Sequence, residues 1–244
     1  MATISFKPKH ITRKITSELS PRASYVIASR FGLTDKGEKK TLEEIGKKYN
    51  ITRERVRQIE DAALNFIKKS GAYKAEQAIF EELKQLMRKL GSIVTERELF
   101  PYISKDKTTQ NHINFFLTLG DAFRKHREDD HFHARFSVDD EIAEQVHESL
   151  KKLYASLKDE DLMPESEMIK KFLDQMKDVS DIYRDEEMVR RWLSMSKRVA
   201  KNPLGEWGKA TSPNIKTRGV KDYAYLVMRK NGSPMHFKEV ADAI

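Results

Sequence analysis

Hydrophobic residues recur at helical spacing in two stretches near the start of the chain. The first stretch begins at Ser20, a capping residue followed by proline, and ends at Gly32. The second begins with TLEE at 41–44, which has the pattern of a capping box. Its apolar stripe consists of Leu42, Ile45 and Tyr49. The pattern predicts two helices separated by a polar loop at 36–40.

A third helix is predicted after a short turn. Asn50 tolerates left-handed backbone geometry, and Ile51 is an apolar residue suited to burial at the turn. Thr52 then caps a helix that runs to about Lys69. At about 100° per residue, one side of this helix collects apolar residues. The predicted packed side consists of Val56, Ile59, Ala63, Phe66 and Ile67. The predicted outer side consists of Glu54, Arg57, Gln58 and Asp61. The second and third helices are therefore expected to be joined by a tight turn.

The outer side of the third helix carries side chains that can read DNA. Arginine, glutamine and glutamate reach guanine, adenine and cytosine edges in the major groove. Arg53 and Arg55 flank the set and suit phosphates, and Thr52 holds the helix start. An ordinary amphipathic helix with a charged outer face fits the same pattern.

Three segments resemble region 4 of the sigma-70 family almost residue for residue: RFGL at 30–33, TLEEIG at 41–46 and ITRERVRQIE at 51–60. The resemblance extends over residues 19–69, about a fifth of the chain. In that family the motif binds the upstream, minus-thirty-five promoter element. The resemblance therefore implies base contacts by Arg53, Glu54 and Gln58, with a base-edge or phosphate contact by Arg57. It implies phosphate or positioning contacts by Thr41, Leu42 and Glu43 at a helix N-terminus.

The sequence departs from the family's pattern in two places. Asp61 and Ala62 stand where the family commonly has a basic residue, near the end of the reading surface. Only 18 residues precede the motif, which leaves no room before it for the region that melts and reads the downstream promoter hexamer. We therefore expect a chain that is not a complete sigma factor.

The next part of the chain has the order of a winged helix. The pattern predicts a helix over 76–90, a short strand at Ile93 and Val94, and a capping box at 95–98 opening a helix that Pro101 cuts short. A helix over 108–119 follows, with Ile113, Phe116 and Leu117 inward. Residues 123–138 alternate as a hairpin, with Phe132, Ala134 and Phe136 on one face and a turn at 128–130.

A similar order of predicted helices and strands follows once more along the chain. Its first helix carries Ile142, Val146, Leu150, Leu153 and Leu157. A second helix follows Pro164, a third lies around Trp192, and residues 197–209 form a basic wing turning at 202–205. The predicted fold class is mainly α, with tandem small helix-turn-helix and winged-helix modules and short β-hairpin wings. A helical bundle with loose hairpins fits nearly as well.

The last segment, 221–244, resembles the start of a HARE-type helix-turn-helix, a winged helix of the RNA polymerase delta subunit, some restriction endonucleases and chromatin proteins. Gly232, Pro234, His236, Val240 and Ala241 stand in the expected order. Four modules are therefore predicted: 1–75, 76–138, 139–212, and an apparently truncated module at 213–244.

Charge is segregated along the chain. Net charge is +8 overall. Residues 1–138 carry 27 basic and 18 acidic side chains (27 − 18 = +9), 139–187 carry 7 and 16 (−9), and 188–244 carry 12 and 4 (+8). Two basic flanks suit DNA phosphates, and an acidic centre suits a protein partner. Within the first flank, Lys7, Lys9, Arg13 and Lys14 are expected to contact phosphates without regard to sequence.

No sequence motif indicates catalytic chemistry, and the case for a metal site is weak. The chain has no cysteine, no phosphate-cradling glycine loop and no hydrolase or metalloprotease motif, so no enzymatic activity and no cofactor are expected. His126, His131 and His133 invite a metal site, yet exposed wing residues that touch phosphate are the favoured interpretation. No apolar run approaches a membrane span, and a cytoplasmic location is expected.

Together these features predict a protein that binds double-stranded promoter DNA and acts with RNA polymerase. Two alternatives remain: a polymerase-binding accessory factor similar to the delta subunit, whose acidic centre mimics or displaces nucleic acid, and the DNA-binding accessory part of a restriction system. The target promoter, the direction of regulation and the oligomeric state stay open.

Overall fold

A computed structural model describes residues 4–176, 183, 185–217 and 219–243. Residues 177–182 and 184 of the acidic centre, and Ile244 of the predicted last module, lie outside the described residues. The chain forms two compact units: residues 1–126 with 136–138, and residues 127–135 with 139–244. The mainly helical class with short antiparallel hairpins is confirmed, whereas the four module boundaries stay a prediction.

Unit 1 is built from eight helices and three short strands in its described part. The helices are α1 Pro8–Thr16, α2 Pro21–Phe31, α3 Leu42–Tyr49, α4 Arg53–Lys69, α5 Gly71–Ala75, α6 Gln77–Lys89, α7 Glu96–Ile103 and α8 Lys107–Leu119. The strands are β1 Ile93–Thr95, β2 Arg124–His126 and β3 Arg135–Ser137, which form one sheet in the order β1-β3-β2. From α6 onward this is the order of a winged helix.

Local capping signals set the ends of the first helices. The Ser20 hydroxyl accepts the Ala23 amide at the start of α2, and Gly32 ends that helix in the left-handed region with φ of 65°. Thr41 and Glu44 form the predicted capping box of α3. The sequence patterns for α2 and α3 are therefore confirmed.

One detail of the following module differs from the sequence prediction. At the start of α7, the Thr95 hydroxyl donates to the Glu98 carboxylate at 3.0 Å instead of accepting a backbone amide, so the predicted capping box is wrong. Pro101 lies inside α7, which ends two residues later at Ile103. Because proline removes a donor and crowds the preceding turn, this short helix agrees with the prediction that Pro101 cuts it short.

The core of unit 1 is continuous from α1 to β3. Ile15, Ile27, Ile67, Phe116 and Phe136 all belong to one buried cluster. Helix α8 lies at its centre and is buried over most of its length, because α1 and α2 pack against it. In a winged helix α8 would hold the position of the reading helix, and here that face is covered.

Unit 2 repeats the winged-helix order. Its described helices are α9 Asp140–Ser156, α10 Glu165–Gln175, α11 Glu186–Met195, α12 Val220–Asn231 and α13 Phe237–Asp242. Strands β4 Val199–Lys201 and β5 Trp207–Lys209 pair antiparallel and form the predicted wing. Trp192 is fully buried, and the indole Nε1 of Trp207 donates to Glu165 at 3.3 Å. Lys201 and then Arg190 lower the pKa of Glu165 to about 2, so the wing is tied to α10 and α11 through this carboxylate.

The segment 127–135 packs into unit 2 instead of standing free as a wing. Phe132 is buried and bridges Ser196, and the His133 amide donates to the Met195 carbonyl at 3.1 Å. Arg135 is 4% exposed; its Nε donates to His147 at 2.7 Å and its NH2 to Asp129 at 3.2 Å. The segment therefore forms part of the core of unit 2.

This packing corrects the expectation for the three histidines. His126 is half-buried against the Ser137 hydroxyl at 2.9 Å, and His133 is half-buried at 3.9 Å from Glu128. His131 alone of the three is exposed. Over the described residues no group of three or more histidine or acidic side chains could hold a metal ion. In the same part of the chain, no helix has the length and apolarity needed to cross a bilayer.

Candidate nucleic-acid interface

The turn between α3 and α4 depends on a glycine. Asn50 ends α3 with φ of 51°, and the Ile51 amide donates to the Gly46 carbonyl at 3.0 Å. A Cβ on Gly46 would lie 2.6 Å from the Ile51 carbonyl oxygen, closer than real Cβ contacts allow. The Thr52 hydroxyl then accepts the Arg55 amide at 3.2 Å and starts α4. Close approach at Gly46 thus brings the two helices together.

A small core holds the three helices in place. Val26 of α2, Ile45 of α3 and Val56 of α4 are fully buried against one another. The predicted packed side of α4 is otherwise confirmed except for Phe66, which is 49% exposed. Phe66 lies about 80° around the helix from Val56 at 100° per residue, at the margin of the apolar stripe.

Arg30 joins α2 to the start of α3 and to α4. Its Nε donates to Glu60 at 3.0 Å and its NH1 to the Lys40 carbonyl at 2.9 Å. The Lys40 amide donates in turn to the Ser29 carbonyl at 2.8 Å. Because both partners of this ion pair are largely shielded from water, the orientation of α4 relative to α2 is fixed near the middle of α4.

The predicted site residues come together at the N-terminal ends of α3 and α4. On α4, Arg53, Glu54, Arg55, Arg57 and Gln58 are all exposed. At the start of α3, the cap Thr41 and Glu43 are exposed, and Leu42 is half-buried. A shallow groove between the two helices is lined by Glu43, Thr52 and Arg53, among others. The structure therefore places the predicted positions on one continuous surface.

Several of these side chains are bonded to one another in the protein alone. Arg57 holds Glu54 with two bonds, of 3.0 and 2.7 Å, and Asp61 with a third of 2.6 Å. These contacts lower the pKa of Glu54 and raise that of Arg57. Arg55 donates to Gln58 at 2.9 Å. Asp61, the departure from the family's pattern, thus takes up part of the hydrogen-bonding capacity of Arg57.

One feature of this region was missed in the sequence. Tyr25 of α2 and Tyr49 of α3 meet edge to face at 5.4 Å, and Lys48 lies over the Tyr25 ring at 3.6 Å. Arg22 lies over Tyr49 at 5.1 Å, and Lys40 donates to the Tyr25 hydroxyl. Hydrogen bonds from Ser29, and further ones from the two lysines, lower the pKa of Tyr25 to about 8. The cluster joins two helices, so neither helix's periodicity could reveal it.

Three helices, α4, α8 and α11, occupy the position that a DNA-recognition helix has in its module. Of these three, α4 alone presents an exposed basic N-terminal half. The corresponding helix α8 is buried. Helix α11 opens with acidic residues, since Asp185 caps it and Glu186 and Glu187 fill its first turn. Negative charge at that end repels phosphates. The candidate interface is therefore α4 with the start of α3.

This geometry defines a helix-turn-helix, and its sequence identifies the kind. Residues 17–69 match the family model described as sigma-70, region 4. RNA polymerase sigma factor SigA of Clostridium acetobutylicum is 57% identical over 51 residues, which are 21% of this chain and 13% of that protein. RNA polymerase sigma factor RpoD of Helicobacter pylori is 54% identical over 50 residues, which are 20% of this chain and 8% of that protein.

The resemblance to region 4 is confirmed for this segment. The matched segment is a small part of each of these relatives, and it is about a fifth of the present chain. The resemblance of the last segment to a HARE-type domain stays a prediction.

Proposed function

We propose that the chain is a sigma-like, non-enzymatic protein that binds double-stranded promoter DNA through α4 and acts with RNA polymerase. The observation that carries the proposal is the exposed, basic N-terminal half of α4 in a segment that matches region 4. A helix of this kind enters the major groove with its first turns against base edges.

Each side chain receives a role from its chemistry and position. Arg53, Glu54 and Gln58 read base edges, as arginine, glutamate and glutamine do in the major groove. Arg57 makes a base-edge or phosphate contact after it breaks its bonds to Glu54 and Asp61. Arg55 contacts phosphate, and Thr52 caps the N-terminus of α4.

The start of α3 supplies the backbone contacts to phosphate. The capping box uses the amides of Thr41 and Glu44, bonded at 2.7 and 3.2 Å. The Leu42 and Glu43 amides of the same first turn then face the phosphate, because helix N-termini leave their first amides without intrahelical acceptors. Thr41 contributes as the cap that sets this turn.

A binding comparison tests the base-reading role. The chain is titrated, at physiological salt, into a duplex that carries a consensus minus-thirty-five hexamer and into a scrambled duplex of equal length. Arg53→Ala and Gln58→Ala should each reduce binding to the specific duplex by about 1–3 kcal/mol and relax the preference for it. Lys69→Ala, an exposed position at the far end of α4, is the matched control and should leave the preference intact. Equal losses on both duplexes for Gln58→Ala contradict base reading.

A second candidate, a polymerase-binding accessory factor, is favoured by the acidic opening of α11 in unit 2. In that case the acidic centre contacts the basic nucleic-acid path of polymerase. Co-purification of the chain with polymerase after nuclease treatment, retained in Arg53→Ala and lost when Glu186 and Glu187 are both changed to Lys, would support it.

A further inference from the structure

An open cavity of about 330 Å³ lies in unit 1, and its lining shares no residue with the reading surface. Its walls come from α1, α2, the segment 33–35 and α8. The matched region-4 segment supplies the walls from α2 and from 33–35, whereas α1 begins before that segment and α8 lies far beyond it. The cavity is thus a product of how α1 and α8 pack on α2.

A buried histidine forms part of the cavity wall. His112 of α8 is 4% exposed, and its Nδ1 lies 2.8 Å from the hydroxyl of Thr12, itself 5% exposed. The Thr12 hydroxyl can donate to Nδ1, and the ring hydrogen then lies on Nε2, which becomes a donor for a ligand. Burial first, and then Lys9, lower the pKa of His112, so the ring is neutral at pH 7.

Two cations stand at the cavity. Lys9 and Arg13, both on α1, are exposed and belong to its lining. Lys9 pairs with Asp35, and the two side chains are 51% and 81% exposed. An ion pair this exposed is screened by water and contributes little to stability. A ligand anion can therefore replace Asp35 beside Lys9 at little cost.

The rest of the lining divides into hydroxyl groups and apolar carbon. Ser24 and Thr34 supply hydroxyls, while Ile27, Ala28 and Leu33 supply an apolar wall. Ligand pockets commonly range over about 300–1,000 Å³, so this cavity exceeds what a bare phosphate fills and suits a molecule with an organic part.

We propose that this cavity binds a small organic phosphate of up to mononucleotide size. Lys9, Arg13 and the His112 Nε2–H hold the phosphate, because cationic and N–H donors form charge-assisted hydrogen bonds with its oxygens. The organic part lies against Ile27 and Leu33. Arg13 thereby acquires a role other than the sequence-independent DNA contact predicted for it.

Binding to four probes tests the proposal: inorganic phosphate, ribose 5-phosphate, AMP and adenosine. Each is titrated into the full chain by calorimetry at constant ionic strength, and the His112 ring resonances are followed by NMR. At least one of the two phosphate esters should bind and shift the His112 resonances, and adenosine should do neither. Arg13→Ala should weaken binding by about tenfold or more.

Lys14→Ala is the matched control. Lys14 is the next residue of α1, equally exposed and basic, but it pairs with Glu76 and lies outside the cavity lining. It should leave ester binding unchanged. The proposal is overturned if neither ester binds at about 10 mM, a concentration at which even millimolar dissociation constants are detected. It is also overturned if adenosine binds as tightly as AMP, or if Arg13→Ala and Lys14→Ala behave alike.

Discussion

At the scale of the residue, the reading surface combines charges that compensate one another. Arg57 is held by Glu54 on one side and Asp61 on the other, so its guanidinium is neutralised before any DNA arrives. Arg53, by contrast, acts on Glu54 through longer-range charge attraction. When the helix binds DNA, Arg57 must therefore give up hydrogen bonds to two carboxylates, and this cost distinguishes it from Arg53 on the same helix.

Asp61→Ala should strengthen sequence-independent DNA binding, because it removes a negative charge and frees one side of Arg57. The slope of log affinity against log salt should steepen by about one phosphate contact. Glu81→Ala on α6 makes the same change of charge away from the surface and should alter neither quantity. An unchanged salt slope for Asp61→Ala would show that Arg57 makes no phosphate contact.

At the scale of the element, the turn between α3 and α4 is the most demanding part of the helix-turn-helix. Its geometry needs a left-handed Asn50 and a Gly46 with no side chain. Both requirements follow from backbone atoms that approach closely, so no flexible side chain can absorb an added methyl group.

Gly46→Ala should lower the free energy of unfolding of unit 1 by about 1–3 kcal/mol, since the new Cβ displaces the Ile51 carbonyl. Alanine's higher helix propensity offsets at most about 1 kcal/mol of this loss. Gly71→Ala is the control, because nothing lies within 4 Å of its added Cβ. Urea unfolding followed by circular dichroism distinguishes the two variants, and equal midpoints would refute the close-approach argument.

The elements that sequence predicts well are those whose ends depend on neighbours in the chain. Ser20 and Thr52 cap their helices as expected because the cap and the amide it accepts are three residues apart. Thr95 has the same local pattern but bonds a side chain instead. Periodicity placed Glu54, Arg57 and Gln58 on the outer side of α4, and the resemblance to region 4 pointed to Thr41, Leu42 and Glu43. The Tyr25 cluster and the cavity wall at His112, by contrast, depend on contacts between distant helices.

At the scale of the whole molecule, the chain passes between its two units three times, at 126/127, 135/136 and 138/139. The hairpin pattern over 123–138 predicted two paired strands, and β2 and β3 are neighbours in the sheet. The predicted common face is wrong, because Phe136 lies in the core of unit 1 whereas Phe132 packs in unit 2. The pattern could not show that the residues between the strands pack into unit 2, because the contact from Phe132 to Ser196 joins positions far apart in sequence.

Phe132→Ala should destabilise unit 2 by about 3–5 kcal/mol, the usual cost of removing a buried phenylalanine. Hydrogen exchange read residue by residue should speed up at Val189 and Leu193 and stay unchanged at Val26 and Ile45. Phe66→Ala removes the same side chain from an exposed position and should have a small effect. Faster exchange confined to unit 1 in Phe132→Ala would contradict the assignment of this segment.

Because the chain alternates between the two units, few truncation points leave either unit intact. A stop codon after 126 deprives the first unit of β3, the middle strand of its sheet. A fragment that starts at 139 lacks the segment that fills part of the second unit's core. A fragment that ends at 138 keeps the first unit whole but carries Phe132 without its partner at Ser196, which invites aggregation. Producing the first unit by itself therefore calls for replacing residues 127–134 with a short polar loop, which leaves all of β3 in place.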